Sequence, residues 1–301
     1  LIFLVLLGLP IMVMEFAVGR ASQKSAARSF HVLEPAGTKW HLQGYACMAG
    51  NYLLMMFYTT VGGWMAAYIF KTLTGEYKGL DSDGVAAVFN DMLARPGYMT
   101  FWMVLVVLLS FFICSLGLQK GVERITKAMM SCLFLILLIL CIRSVTLPGA
   151  SEGLRFYLIP DFTRFTENGV GNTIFAAMGQ AFFTLSLGIG AMAIFGSYIG
   201  KDHTLTGETI NICLLDTLVA FLAGLIIFPS CFAGQGPGLV FITLPNIFNQ
   251  MVGGRIFGVL FFVFMTFAAQ STIIAVFENI ISFSMDLFGT SRKKTVLING
   301  I

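Results

Sequence analysis

Seven apolar runs, each long enough to cross a lipid bilayer, constrain this chain more than any other feature of its sequence. A hydrocarbon core about 30 Å thick needs roughly 20 consecutive apolar residues per helix. Charged residues make up only 11% of the chain, against about 25% in soluble domains. We therefore predict an all-α, multi-pass membrane protein. The predicted spans are 1–19, 44–70, 99–118, 125–146, 172–199, 209–233 and 254–287, and an eighth apolar run begins at Thr295.

The distribution of lysine and arginine predicts how these spans are oriented. When the spans alternate across the bilayer, eleven of the 18 basic residues fall on one side and seven on the other. The more basic side is expected to be cytoplasmic, which predicts a multi-pass protein of the cell's inner (plasma) membrane. The net charge of +3 forms no compact basic patch, so no nucleic-acid partner is expected. Because the sequence starts inside an apolar run, we expect 1–301 to be a single transmembrane domain truncated at both ends.

The residues that usually bind transition metals or perform covalent catalysis are sparse. Six cysteines lie within or at the edges of apolar spans without CxxC spacing, and His31, His41 and His203 lie in loops. Buried, inert thiols and solvated histidines are the ordinary roles of such residues. The spans contain no HExxH motif, no paired aspartates and no serine–histidine arrangement. We therefore predict neither a transition-metal site nor an enzyme.

Three acidic residues lie in or near the apolar spans, where an ionisable group is costly. Such groups usually face a protein interior or an aqueous path for ions or substrate. Asp216 lies deep within one span, which favours a functional role. Glu15 and Glu278 lie nearer the cytoplasmic ends of theirs. For these two, a functional role and a structural hydrogen bond to a broken helix are equally consistent with the sequence.

The span 172–199 contains the stretch FFTLSLGIGA, residues 182–191, whose glycines and hydroxyls are unusual in a membrane helix. Gly188 and Gly190 each cost about 1 kcal/mol against alanine in a helix interior. Transporters often use discontinuous helices, whose freed carbonyls bind cations and whose half-helix ends face substrate charges near the middle of the membrane. The stretch therefore predicts either such a break or a simple glycine kink.

A second polar cluster lies in the span 254–287. Ala268, Ser271 and Thr272 share one helix face because they are spaced i, i+3 and i+4. One approachable carbonyl and two hydroxyls could coordinate a hard monovalent cation, which prefers oxygen ligands. Small and hydroxyl residues are also common where membrane helices pack together. On spacing alone, packing is the favoured interpretation.

Several long motifs, in order along essentially the whole chain, resemble the neurotransmitter:sodium symporter family, and its bacterial amino-acid transporters of LeuT type in particular. The motifs are GLPIMVMEFAVGR (8–20), KGVERITKAMM (120–130), EGLRFYLIPDF (152–162), GQAFFTLSLGIGAM (179–192) and GLVFITLPNIF (238–248). The resemblance implies a LeuT-type 5+5 inverted-repeat helical bundle, of which this chain covers the second helix to the start of the ninth. The family's unwound first helix, which supplies many ligands, would then precede Leu1.

The resemblance also implies a substrate site around residues 182–191. Backbone carbonyls of Phe183, Thr184 and Ser186 would bind the amino group of an amino acid, and the Phe183 ring would close over it. Tyr58 corresponds to the tyrosine that hydrogen-bonds the substrate carboxylate. The walls of the side-chain pocket would be Leu54, Phe183, Ile189 and Val276.

Two sodium sites are implied in the same way. The Thr184 hydroxyl and Asp216 would bind the first sodium ion. Ala268, Ser271 and Thr272 would bind the second, so the resemblance overturns the packing interpretation of that cluster. Sodium ions are therefore the expected cofactor.

Two departures from the family pattern affect these sites. Asp216 stands where many members have asparagine, so a fixed carboxylate could balance the sodium charge and make transport independent of chloride. The helix of the second sodium site has Ala269-Gln270-Ser271, where the family has glycine-leucine followed by an acid or threonine. The gating positions of the family, whose arginine partners would lie outside this chain, correspond to Gln180, Tyr198 and Asp286.

The resulting prediction is a sodium-coupled symporter of neutral apolar or aromatic amino acids that works by alternating access. Every expected wall residue of the pocket is apolar, so a charged substrate side chain would be left unpaired at substantial cost. The alternative is an amino-acid sensor that binds its ligand on the same scaffold without transporting it. The expected partners are an amino acid, sodium ions and the lipid bilayer, and the sequence predicts no particular oligomeric state.

Overall fold

The computed structural model describes residues 1–147, 149–160, 169–234, 241–250 and 252–300, and the regular structure within them is helical, as the sequence predicts. Short π-helical segments, Leu4–Gly8 and Leu118–Glu123, lead into the first and sixth helices. In chain order the helices are α1 (Leu9–Ser22), α2 (Ala26–Leu33), α3 (Leu42–Thr74), α4 (Ser82–Leu93), α5 (Pro96–Ser115), α6 (Arg124–Val145), α7 (Ala150–Leu158), α8 (Val170–Thr184), α9 (Ala191–Tyr198), α10 (Leu205–Gly234), α11 (Thr243–Gln250), α12 (Gly254–Phe288) and α13 (Arg292–Asn299).

The predicted spans agree with the long helices, with one exception. Within the described residues, six helical segments are long and apolar enough to cross a membrane, and they correspond to α1, α3, α5, α6, α12 and the part of α10 up to Pro229. The exception is the span 172–199, which forms two shorter helices, α8 and α9, separated by residues 185–190. The eighth apolar run also differs slightly, because α13 begins at Arg292 rather than at Thr295.

Proline and glycine set several of the helix boundaries. α5 begins at Pro96, where the missing backbone N–H removes no helical hydrogen bond. α3 ends at Gly75, whose left-handed φ of 76° allows its N–H to cap the last helical turn. Pro96 and Gly75 thus place helix boundaries near the edges of the apolar runs.

The core lies where α12 packs against α3, α5 and α6. α12 contributes side chains that are completely buried, among them Phe261, Phe262, Ile273 and Ile281. Tyr68 of α3 is equally buried and packs against the Phe262 ring. Lipid tails are as apolar as these side chains, so close packing holds such helices together more than the hydrophobic effect does.

Another part of α3, about three to four turns before Tyr68, is apolar and exposed. Leu53, Met56 and Phe57 are between 65% and 71% exposed. Their i, i+3 and i+4 spacing places them in one stripe along the helix.

α1 crosses α9 at a contact made of small residues. A Cβ atom added at Gly19 would overlap the carbonyl oxygen of Ala193, and one added at Gly196 would lie 2.5 Å from the carbonyl oxygen of Phe16. The two backbones therefore touch directly, as small residues allow in membrane helices. This contact holds α9 against α1 next to the interruption at 185–190.

Candidate functional site

The candidate site surrounds residues 185–190, where the backbone leaves the helical conformation between α8 and α9. Ser186 has a φ of 52°, and Gly188 and Gly190 have φ values of 86° and 73°. Left-handed backbone of this kind suits glycine and is uncommon for other residues. Of the two interpretations that the sequence left open, the structure favours a break between two helices over a kink.

A carboxylate and a thiol satisfy the backbone of Gly188 inside the break. The Gly188 N–H donates to Glu15 Oε1 of α1 at 2.7 Å. The Cys47 thiol of α3 donates to the Gly188 carbonyl at 3.3 Å. Backbone groups freed within a membrane must find partners inside the protein. Glu15 therefore makes the structural hydrogen bond to a broken helix that the sequence left as one of its two possible roles.

Two buried asparagines satisfy the carbonyl group of Ile189. Asn51 Nδ2 of α3 donates to that oxygen at 2.6 Å, and Asn279 Nδ2 of α12 donates at 3.3 Å. Asn279 Nδ2 also lies 3.2 Å from Asn51 Oδ1, so the two amides are linked to each other. Neither asparagine was identified from the sequence, although a lone amide in an apolar span is a signal of interhelical hydrogen bonding.

The break borders a cavity of about 580 Å³ that collects most of the predicted substrate residues. Val276 is the exception, because it is 2% exposed and packs inside the main core. The predicted substrate residues that line the cavity are Leu54, Tyr58, Phe183, Thr184, Ser186 and Ile189. The other lining residues are Gln180 and Thr272, which were predicted for other roles, and Gly50, Gly179, Phe182 and Leu187, which were not predicted.

The described residues that line this cavity are all uncharged. Leucine, isoleucine and phenylalanine side chains supply apolar walls, and Tyr58, Thr184 and Ser186 supply hydroxyl groups. A charged ligand group without a partner is costly in such surroundings. The lining therefore suits a ligand with an apolar, neutral body and a polar end that reaches the broken backbone.

Asp216 of α10 lies beside the end of α8. The Thr184 hydroxyl donates to Asp216 Oδ2 at 3.0 Å. The two residues also line a neighbouring cavity of about 270 Å³, so Thr184 borders both spaces. A carboxylate and a hydroxyl at this separation are the oxygen ligands that hard cations prefer.

The predicted residues of the second sodium site also converge on one point. The Ser271 and Thr272 hydroxyls both donate to the Ala268 carbonyl, at 2.9 Å and 3.3 Å. Thr272 lines the 580 Å³ cavity, whereas Ser271 lines a different cavity of about 410 Å³ that Tyr198 also borders. Three neutral oxygens thus lie together on α12 where it borders the two cavities.

Two of the predicted gating residues have partners within the chain. Tyr198 donates a long hydrogen bond of 3.5 Å to Glu278 Oε1. Glu278 is completely buried and forms an ion pair with Arg292, whose Nη1 lies 3.0 Å from Oε1. Asp286 Oδ2 accepts a hydrogen bond of 2.7 Å from the Ser25 N–H. Arg292 was not identified from the sequence as the partner of Glu278, because the turn after α12 brings it back to that helix.

Comparison with known proteins identifies a consistent set of relatives. Residues 83–301 match the Sodium:neurotransmitter symporter family. The uncharacterised sodium-dependent transporter YhdH of Bacillus subtilis is 36% identical over 93% of this chain and 62% of its own length. An uncharacterised sodium-dependent transporter of Haemophilus influenzae is 32% identical over 99% of this chain and 67% of its own length. The human sodium- and chloride-dependent GABA transporter 2 is 24% identical over 100% of this chain and 58% of its own length.

A solved structure matches the fold. The crystal structure of MhsT in complex with L-phenylalanine superposes with a TM-score of 0.88 and 38% identity, covering 99% of this chain and 68% of that one. This match confirms the predicted LeuT-type fold. The chain spans about three fifths to two thirds of the length of its curated bacterial relatives.

The hydrogen bond from Gly188 to Glu15 predicts a difference between two substitutions. Glu15→Ala removes the acceptor of the Gly188 N–H, so we expect it to lower the free energy of unfolding by about 0.5–1.5 kcal/mol, the net value of one hydrogen bond. Glu15→Gln keeps an oxygen at the same position and should stay near wild type. The free energy of unfolding of each variant is measured on the complete protein in detergent. An equal loss in the two variants would show that the charge of Glu15, and not its acceptor oxygen, supports the break.

Proposed function

The chain belongs to the sodium:neurotransmitter symporter family, and on that premise we propose that the complete protein is a sodium-coupled symporter of neutral apolar or aromatic amino acids in the plasma membrane. Coupling arises because substrate and sodium together bind one conformation more tightly than the other. The observation that carries the proposal is the uncharged cavity beside the broken helix, in which six of the predicted substrate residues meet.

The charged ends of the amino acid are assigned to the break and to Tyr58. Carbonyl groups of Phe183, Thr184 and Ser186 accept hydrogen bonds from the ammonium group, and the Tyr58 hydroxyl donates to the carboxylate. The end of α8 at Thr184 supports this assignment. Carbonyl groups at a helix C terminus lack intrahelical donors and form the negative end of the helix dipole, which favours a cation.

The side chain of the substrate is assigned to the apolar wall. Leu54, Ile189 and the ring of Phe183 supply apolar surface in the cavity. Phe183 is 61% exposed, so its ring has room to move over a bound ligand. These walls offer no partner to a lysine or glutamate side chain, which is why the proposal is limited to neutral substrates.

The first experiment is uptake by the complete protein in liposomes. We expect labelled leucine or phenylalanine to accumulate when a sodium gradient is imposed and not when potassium replaces sodium. Unlabelled leucine, phenylalanine, tyrosine or tryptophan should compete, whereas lysine and glutamate should not. Sodium-dependent binding without accumulation would contradict the proposal and identify a sensor, and stronger competition by lysine or glutamate would contradict the assigned substrate class.

The assignment of Tyr58 predicts the effect of Tyr58→Phe, which removes one hydroxyl and keeps the ring. A hydrogen bond to a charged group contributes about 1.5–3 kcal/mol, so substrate affinity should fall roughly 10- to 150-fold while the protein remains folded. The matched control is Tyr52→Phe on the same helix, where the hydroxyl bonds Asn299 instead of lining the cavity. Equal affinity in Tyr58→Phe and wild type would show that Tyr58 is a packing residue only.

We also propose that Asp216 makes transport independent of chloride. The assigned sodium ligands at the first site are the Asp216 carboxylate and the Thr184 hydroxyl, which lie 3.0 Å apart. Two opposite charges about 4 Å apart interact by roughly 4 kcal/mol at an effective dielectric constant of 20. The carboxylate can therefore balance the sodium charge without a bound anion. When sodium leaves, burial penalises the unbalanced carboxylate, which favours uptake of a proton on the return step.

The role of Asp216 predicts that uptake continues when gluconate replaces chloride. Asp216→Asn should weaken sodium binding, and added chloride should restore part of it by supplying the missing negative charge. Asp91→Asn, at an exposed position paired with Arg95, is the control and should leave both ion dependences unchanged. Loss of wild-type transport in gluconate would refute the proposal. The human relative is chloride-dependent by name, so loss of transport in gluconate would match that relative.

A further inference from the structure

The loop between α2 and α3 gathers three potential metal ligands far along the chain from the cavity residues at 179–189. One ligand atom from each of His31, Glu34 and His41 lies within 4.8 Å of the others. The sequence predicted that these histidines are ordinary solvated residues of a loop. The structure instead stacks the two imidazole rings with centroids 4.8 Å apart and places His41 Nδ1 2.7 Å from Glu34 Oε1.

Local sequence explains why these side chains meet. His31 and Glu34 are three residues apart at the end of α2, so they lie on neighbouring positions of one helix face. Pro35 follows and stops the helix. The chain then turns back through hydrogen bonds from Thr38 N–H to the Pro35 carbonyl and from Leu42 N–H to the Lys39 carbonyl. This turn returns His41 to the end of α2.

The Glu34 carboxylate is held in place by the same turn. Its Oε2 atom accepts hydrogen bonds from the His41 N–H at 3.1 Å and from the Thr38 hydroxyl at 3.4 Å. The turn therefore holds the Glu34 carboxylate with its Oε1 atom next to His41 Nδ1, and a hydrogen-bonded carboxylate is typical of ordered metal sites.

We propose that His31, Glu34 and His41 bind one Zn²⁺ ion, with water at the fourth position. Two imidazoles and one carboxylate form a ligand set that suits Zn²⁺ far better than sodium, magnesium or calcium. Tetrahedral bonds of about 2.0–2.1 Å require ligand atoms roughly 3.3 Å apart. The ligand atoms of the three side chains now lie within 4.8 Å of one another. The exposed His31 ring can rotate to bring its nitrogen to the distance that zinc requires. The proton between His41 Nδ1 and Glu34 Oε1 passes to solvent as the metal binds.

The proposed ion would join the end of α2 to the start of α3. These helices are already in close contact, because a Cβ atom added at Gly44 would lie 2.6 Å from the Ala26 carbonyl oxygen. A metal ion at the other end of α2 would be a second link between α2 and α3, and it would hold the loop that joins them. We therefore expect Zn²⁺ to raise the thermal stability of the protein. This inference does not depend on the proposed transport activity.

The test is a Zn²⁺ titration of the complete, untagged protein in detergent against a chromophoric zinc indicator. We expect His31→Ala, His41→Ala and Glu34→Gln each to weaken binding at least about tenfold and to abolish the increase in melting temperature. The matched control is His203→Ala, which removes the third histidine of the chain. His203 lies next to Asp202 and Glu208, and its removal should change neither measurement.

Replacing one ligand by another separates loss of metal binding from loss of folding. His31→Cys and His41→Cys keep a zinc ligand at each position, so both should retain measurable binding where the alanine variants lose it. The proposal is overturned if the wild type and the His31→Ala/His41→Ala double variant bind the same amount of Zn²⁺. It is equally overturned if His203→Ala is the substitution that removes binding.

Discussion

The requirement that backbone groups be hydrogen-bonded within the membrane determines how this structure is organised. Residues 185–190 are not helical, so their N–H and C=O groups need partners that lipid cannot supply. Three helices provide partners for Gly188 and Ile189: Glu15 from α1, Cys47 and Asn51 from α3, and Asn279 from α12. The break is thus the point at which otherwise separate helices are linked by polar contacts. Removing any one of these helices would leave part of the break unpaired.

Close packing around the break follows from the same requirement. Side chains as short as glutamate, cysteine and asparagine reach the backbone only if their helices approach closely. Gly19 and Gly196 allow α1 and α9 to touch, and Gly190 brings its α-carbon near Ala26 and Cys47. Since apolar burial drives membrane helices together only weakly, small residues and buried amides take over the role that a hydrophobic core has in water.

Local patterns predicted most of the fold, because an apolar run of about 20 residues can do little but span a membrane. An interruption of the span 172–199 was also indicated, as either a break or a kink, since glycines are costly in an ordinary helix. The asparagine partners of the break were not identified from the sequence, because Asn51 and Asn279 are far apart in the chain and only packing of α3 against α12 joins them. Arg292 and the cluster at His31 were missed for a related reason: each depends on a turn that reverses the chain.

The polar groups inside the bundle differ in how many hydrogen bonds are broken when a group changes its partner. Asn51 and Asn279 bond the broken backbone and each other, so moving either one leaves several groups unpaired at once. Within the described parts of the chain, the hydroxyls of Ser271 and Thr272 bond only the carbonyl of their own helix, at Ala268. Hydroxyls bonded in this way can rotate toward a new acceptor or a cation while the helix stays intact. The two asparagines therefore keep the break in place, whereas the Ser271 and Thr272 hydroxyls can turn toward an ion without disturbing the helix.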